Sequence, residues 1–555
     1  MRAELKFSCI EYKFNRSAAL DLNRLSAPKM TLADLLARPF GTIQELVAFA
    51  AQRKPDHPAI ILDTAKSNAL GTASSLVSIT YSALDHQINR VAASLQRDGL
   101  VQGDAVAICA ETSIDYVALF LGILRVGGLV VPLPPSASAE NLTGMLLNSK
   151  AKWLFLDLGV DLIWGLPAAA HPNLKRISLD SSSIAQPWSS WLSENDKPTS
   201  VDTQPAWPFN LIYSSGTTGV PKGIVQPCAM RWSHIQRAHL NGYGADTVLL
   251  TATPLYSNTT LPALLPTLGM GGTAVMMAKF DTRRYLELAQ RYRVTITILV
   301  PVQYQRLMDD PNFDSYDLSA FKAKFSTSAP FAAMLKADVL KRWPGGLSEV
   351  YGMTEGGGRC QLDAHVHPDK LHTIGKPSSG ADIRLIDELG NEVGPGEAGE
   401  IVGNSPAMME GYYGLPEKTR EAEWFDKTGK RFIRTGDIAR FDEDGFLILS
   451  DRIKDMVISG GFNIYPSDLE EALDQHPEVK ESAVVGVPSR EWGETPVGFV
   501  VLKPEARVTA EELRIWVNAK LGKTQRLADL KFIETLPRSE IGKVLKRQLR
   551  EMYSA

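Results

Sequence analysis

At 555 residues, with 44% hydrophobic and 22% charged side chains, the chain has room for three or four compact units, at roughly 150 residues per domain. A formal net charge of −4 offers no broad basic field for a nucleic-acid backbone, so neither DNA nor RNA is expected as a partner. Cys9, Cys109, Cys228 and Cys360 lie far apart without CxxC spacing; neither a disulfide framework nor a structural zinc site is readable, and a reducing cytoplasm is the expected setting.

Residues 1–30 are interrupted by charge throughout and never build the apolar core of an export signal; they read as a poorly ordered extension, with a cleaner helical pattern starting at Met30. From about residue 40 to 300, short β-branched runs such as Ala105–Cys109, Trp153–Leu158 and Thr295–Val302 alternate with segments of helical period such as Leu84–Gly99. That alternation predicts stacked α/β layers with parallel sheets. The most apolar run, Val117–Leu124, ends at Arg125 and the pair Gly127-Gly128, well short of the ~20 residues of a membrane span, so no transmembrane segment is expected. Residues 167–198, rich in Pro and Ser, read as a surface loop. After about residue 380 turn-punctuated strands predict a small β subdomain, and beyond Asp451 helix and strand patterns mix as in a separate α+β lid.

The strongest local signal is Leu211–Val225: an apolar strand, a loop of hydroxyls and glycines (Ser214-Ser215-Gly216-Thr217-Thr218-Gly219) closing on Lys222, and a second apolar strand. Such a loop suits phosphate. Glycines let backbone N–H groups close around the oxygens, hydroxyls add donors without bulk, and Lys222 adds positive charge. The spacing is not that of a Walker A loop, which opens directly into a helix. The loop resembles the signature of the adenylate-forming superfamily, which includes acyl-CoA synthetases, luciferases and peptide-synthetase adenylation domains. Five further motifs follow in that superfamily's order: Ser328-Ala329-Pro330; Tyr351-Gly352-Met353-Thr354-Glu355; Arg434-Thr435-Gly436-Asp437; Asp451-Arg452-Ile453-Lys454-Asp455 running into Ser459-Gly460-Gly461; and Leu536-Pro537-Arg538-Ser539-Glu540-Ile541-Gly542-Lys543.

The resemblance covers roughly residues 40–550 and implies an α/β fold. A large N-terminal adenylation domain (31–450), built of stacked α/β subdomains and a small β subdomain, is joined by a hinge (451–454, with Lys454 as pivot) to a small mobile α+β C-terminal domain (455–555). It implies ATP, Mg²⁺ and coenzyme A as cofactors and a small carboxylic acid as substrate; monomer and homodimer stay open. Thr354 and the Ser214–Lys222 loop would meet phosphates, and Glu355, a hard oxygen ligand, the metal. Ser328, Ala329, Pro330, Tyr351, Gly352 and Met353 would pack on the nucleotide, with Ser328 where many relatives carry glycine, and Asp437 and Arg452 would hold the ribose. Lys543 would bridge carboxylate and α-phosphate, where two anions must meet. Taken singly, Thr354-Glu355 reads as a helix N-cap with a first-turn acid, Asp437 as a turn residue and Lys543 as a solvated base.

For the second half-reaction the family rotates its C-terminal domain, which would bring Ser459, Gly460 and Gly461 to the site; Trp492 and Arg526 would meet coenzyme A, although a lone Trp is more often core. The acyl pocket would be lined by Tyr256, Ser257, Asn258, Gln303 and, past Glu355, Gly356 and Gly357. Ser257 and Asn258 cannot neutralise a buried ammonium, which argues against an α-amino acid, and the small residues suit an aryl, cyclic, branched or medium-length acid. The reading is an AMP-forming acid:CoA ligase, with a carrier-protein-loading adenylation enzyme and a non-catalytic nucleotide binder as alternatives. Two literal matches are rejected: Gly394–Gly399 satisfies GxGxxG but leads into a strand, and His365, His367 and His372 fit no zinc spacing.

Overall fold

The computed structural model describes residues 30–64, 76–164, 173–180, 185–214, 222–452, 455–459, 462–489, 492–521, 526–539 and 542–554. Two large sheets are built within residues 58–412. The first has nine strands in the order Lys376–Pro377, Arg359–Asp363, Gly346–Gly352, Ala323–Ser326, Ile296–Leu299, Val248–Thr251, Thr273–Met277, Pro58–Asp63 and Leu76–Thr80. The second has eight: Gly411–Tyr412, Lys222–Pro227, Pro208–Ser214, Leu129–Pro132, Ala105–Cys109, Trp153–Leu156, Lys175–Ser178 and Gln186–Pro187. Their central strands pair in parallel and are apolar without alternation, as strands covered on both faces must be; every residue of Ala105–Cys109 is buried.

Helices Ile43–Arg53, Tyr81–Arg97, Ile114–Arg125, Cys228–Leu240 and Leu261–Gly269 share one apolar core with strands of both sheets. Ile114–Arg125 contains the most apolar run of the sequence and is core: residues 116–124 are all buried, and Arg125 closes the helix in an ion pair with Asp85 at 2.6 Å. Among the described residues no helix is long and apolar enough to cross a membrane.

The loop expected over residues 167–198 is corrected by the structure. Lys175–Ser178 and Gln186–Pro187 pair in parallel and extend the eight-stranded sheet, and helix Trp188–Trp191 follows them. Trp191 is buried with its ring 4.9 Å from that of Phe155. The burial of one tryptophan anchors a segment whose Pro and Ser content resembles loop.

A five-stranded antiparallel sheet follows, Asp382–Ile386, Gly399–Asn404, Arg431–Phe441 and Glu423–Phe425, with Leu447–Arg452 also paired with Arg431–Phe441. Gly394–Gly399 connects the first two of these strands, whose antiparallel pairing makes it a hairpin connection. The last hundred residues form another five-stranded sheet, Phe462–Ile464, Val457–Ser459, Gly493–Leu502 and Val479–Ser489 with Asp529–Phe532 beside Gly493–Leu502, packed by helices Pro466–Asp474 and Ala510–Asn518. Fold class and order of parts agree with the expectation.

Candidate active site

Lys222 opens the second strand of the signature hairpin, directly opposite Ser214. Its ammonium lies 5.4 Å from the ring centre of Tyr412, which reaches this place because Gly411–Tyr412 adds a short strand to the same sheet, Tyr412 pairing with Ile224. The Tyr412 hydroxyl donates to Glu355 Oε1 at 2.9 Å. Burial, and secondarily the Glu355 charge, push this phenol well above its ordinary range, so it stays a donor. The phosphate-loop cation and the expected metal carboxylate therefore converge on one tyrosine that the motifs did not single out. The Thr354-Glu355 turn is tied at both ends: Gln226 Nε2 donates to the Thr354 carbonyl at 2.7 Å, and the Glu355 carbonyl accepts from Met409 N at 2.7 Å. One hard carboxylate linked through Tyr412 to Lys222 is a donor set that would fit Mg²⁺, which takes one or two carboxylates plus phosphate oxygens and keeps its waters.

Tyr351 donates from its hydroxyl to Asp437 Oδ2 at 2.6 Å, and Asp437 stands opposite Arg452 across antiparallel strands. The bend that aims Asp437 is held by Glu400, which ion-pairs with Arg434 and accepts from Gly436 N at 3.2 Å. Ser328 follows strand Ala323–Ser326 with φ of +78°, left-handed backbone that favours glycine. Its hydroxyl is 2.7 Å from Thr259 Oγ1, joining the expected adenine segment to the expected acyl segment. Ala329 and Pro330 continue that loop.

Of the residues expected to line an acyl pocket, Ser257 accepts from Thr259 N at 3.1 Å, and Asn258 Oδ1 accepts from Arg231 Nη2 at 2.8 Å; Tyr256 precedes them, partly exposed. Gln303 is spent on backbone: it accepts from Val300 N at 3.1 Å, closing the start of helix Pro301–Met308. The glycines need correction. Gly356 and Gly357 have φ of +83° and +63°; a Cβ on Gly356 would strike the Ala407 carbonyl, and one on Gly357 would come within 2.9 Å of the Gly403 oxygen. Close approach to the small β subdomain, more than pocket width, requires glycine at both.

The Gly542-Lys543 turn docks on this wall: a Cβ on Gly542, φ +76°, would lie 2.9 Å from Val302 Cγ1 and 3.4 Å from Val300 Cγ2. Arg538 braces the turn by donating to the Gly542 carbonyl at 2.8 Å and pairing with Glu481. The described C-terminal domain thus sits with Lys543 beside the start of the Pro301–Met308 helix. Ser459 pairs with Gly493, and the neighbouring Trp492 is 51% exposed, not core. Arg526 is exposed as well. Ser215, Gly216, Thr217, Thr218, Gly219, Lys454, Gly460 and Gly461 lie outside the described residues, as does the side chain of Arg452. Cys228 is buried, which pushes its thiol up to about 12 and removes it as a nucleophile at neutral pH.

The family model described as AMP-binding enzyme matches residues 47–413, and that described as AMP-binding enzyme C-terminal domain matches 468–543. The chain is 33% identical over 485 residues to a feruloyl-CoA synthase of an Amycolatopsis species, covering 86% of this chain and 94% of that one. It is 30% identical over 525 residues to the fatty acid–[acyl-carrier-protein] ligase ScoC of Streptomyces coeruleorubidus, covering 92% and 96%. ATP-bound MatB from Rhodopseudomonas palustris superimposes with a TM-score of 0.80 at 28% identity, covering 92% of this chain and 99% of that chain.

Proposed function

The chain belongs to the AMP-binding enzyme family, and from that premise we propose that it is an AMP-forming acid:CoA ligase acting on an aryl or similarly bulky carboxylic acid. ATP and the acid combine to an acyl-adenylate with release of pyrophosphate, and the coenzyme A thiol then displaces AMP. In this reading Lys222 and Tyr412 hold the polyphosphate side, Glu355 would hold Mg²⁺, Asp437 and Arg452 hold the ribose, and Lys543 neutralises the meeting of carboxylate and α-phosphate. Mg²⁺ would supply charge neutralisation on the phosphate oxygens.

The observation that carries the proposal is the docking of the Gly542-Lys543 turn against Val300 and Val302, which supports a role for Lys543 at the acyl side of the nucleotide motifs. For the acceptor, the half-exposed Trp492 beside Ser459 supports a free adenine-bearing thiol. The ScoC likeness favours, as a second reading, a carrier-protein thiol. The test is a panel of aryl, cyclic and linear acids assayed for pyrophosphate and for thioester, with coenzyme A or with a phosphopantetheinylated carrier protein. Thioester on coenzyme A supports the proposal; pyrophosphate release with thioester only on the carrier transfers support to the second reading; silence with every acid overturns both.

A further inference from the structure

Helix Cys228–Leu240 places Arg231, His234 and Arg237 on the side of the chain that holds Asn258, and Arg359 begins the strand that follows Gly356-Gly357-Gly358. Arg231 is 2% exposed. Its donors reach only neutral acceptors: Asn210 Oδ1 at 3.0 Å, Asn258 Oδ1 at 2.8 Å, and Gln226. Arg359 donates to the Ser378 hydroxyl at 3.0 Å and to Gln361 Oε1 at 2.9 Å, again neutral. Among the described residues none of these three guanidiniums forms an ion pair, although the Asp363 carboxylate, held by Ser348 and Gln361, acts on Arg359 from farther away. Two buried polar atoms in the group have no hydrogen-bond partner at all, Arg231 Nη1 and His234 Nδ1.

A buried guanidinium without a carboxylate is costly, and three around one imidazole more so. Burial lowers Arg231 to about 9 and Arg359 to about 10, and burial together with the fields of Arg231, Arg237 and Arg359 holds His234 neutral. His234, Arg237 and Arg359 nevertheless keep part of their surface open. Their partial openness leaves these desolvated groups able to meet a ligand. Asn258, which accepts from Arg231, ties the group to the expected acyl segment.

We propose that Arg231, Arg237 and Arg359, with His234, form a subsite for a second carboxylate at the far end of the acid, so that the substrate is a dicarboxylate activated at one end. This rests on the acid-activating reading above. The planar fork of arginine pairs bidentately with a carboxylate, and an uncharged tail in the same place would leave the cluster uncompensated.

The test uses the full-length enzyme with ATP, Mg²⁺ and matched pairs of acids: octanoate and octanedioate, with the shorter and longer members of each series, and 3-phenylpropanoate and 3-(4-carboxyphenyl)propanoate. In wild type the best diacid should exceed its monoacid in kcat/KM for pyrophosphate release by at least roughly 10-fold, and Arg359→Met or Arg237→Met should lower that ratio by roughly 100-fold, the size typical of stranding a buried charge partner. Arg237→Lys, which keeps the charge, should lower it less. Wild-type preference for every monoacid over its diacid overturns the subsite and leaves the ligase reading intact, without recourse to any variant. A ratio unmoved in both Met variants also overturns it. Release with no acid at all overturns the ligase reading, and the subsite with it.

Discussion

Tyr412→Phe isolates the contact that joins Lys222 to Glu355, the proposed metal carboxylate. The ring stays in place over Lys222, the pairing with Ile224 stays, and only the hydroxyl that donates to Glu355 at 2.9 Å is lost. A hydrogen bond to a charged acceptor contributes about 1.5–3 kcal/mol, and if that acts in the transition state of phosphoryl transfer the rate falls roughly 10- to 150-fold. The assay is acid-dependent pyrophosphate release over a Mg²⁺ titration, beside thioester formation from supplied acyl-adenylate. Release should fall within that range with a raised Mg²⁺ requirement, while thioester formation stays within roughly 3-fold of wild type on the same scale. A change in release below roughly 3-fold, or equal losses in both half-reactions, refutes the assignment of Tyr412 as the residue that positions Glu355.

Gly356→Ala should destabilise the fold, because both the positive φ and the Ala407 carbonyl oppose a Cβ; a melting temperature equal to wild type with a narrowed acid range would restore the pocket-width reading. Lys336 and Glu349 form a buried ion pair, each at most 6% exposed on its side chain, so Lys336→Met should cost about 3–5 kcal/mol at neutral pH by denaturant titration. Burial already raises the Glu349 carboxyl, and loss of Lys336 raises it further. The variant's deficit should therefore be smallest at acid pH and grow as pH rises through that raised value; a deficit independent of pH contradicts the reasoning. Lys454→Pro, fixing φ at the expected pivot, should spare adenylation and depress thioester formation, and undiminished overall turnover would count against domain rotation.

The parts of the candidate site that the sequence marks are local strings: the hydroxyl- and glycine-rich loop, the Thr354-Glu355 pair and the Gly542-Lys543 turn, each with residue types that suit the proposed job. What was not legible depends on contacts between distant segments. Tyr412 meets Glu355 across 57 positions and Arg231 meets Asn258 across 27; neither pairing leaves a mark in the local pattern, although the short Gly411-Tyr412-Tyr413-Gly414 stretch and an arginine inside an apolar helix face were the available signals. Glycines misled in the opposite direction. Their absence of side chain at 356 and 357 looked like room for substrate, and proved to be room for the backbone of the β subdomain. The strands at 175–178 and 186–187 escaped because two- and four-residue edge strands carry too little periodicity to be read.

The central claim is that Lys543 serves adenylation from the position in which its turn rests on Val300 and Val302. Lys543→Ala assayed in both half-reactions tests it most directly. Acid-dependent pyrophosphate release should fall at least roughly 100-fold, as for loss of a transition-state charge partner, while thioester formation from a supplied acyl-adenylate is retained. Equal loss in both half-reactions, or release at the wild-type rate, would contradict the account.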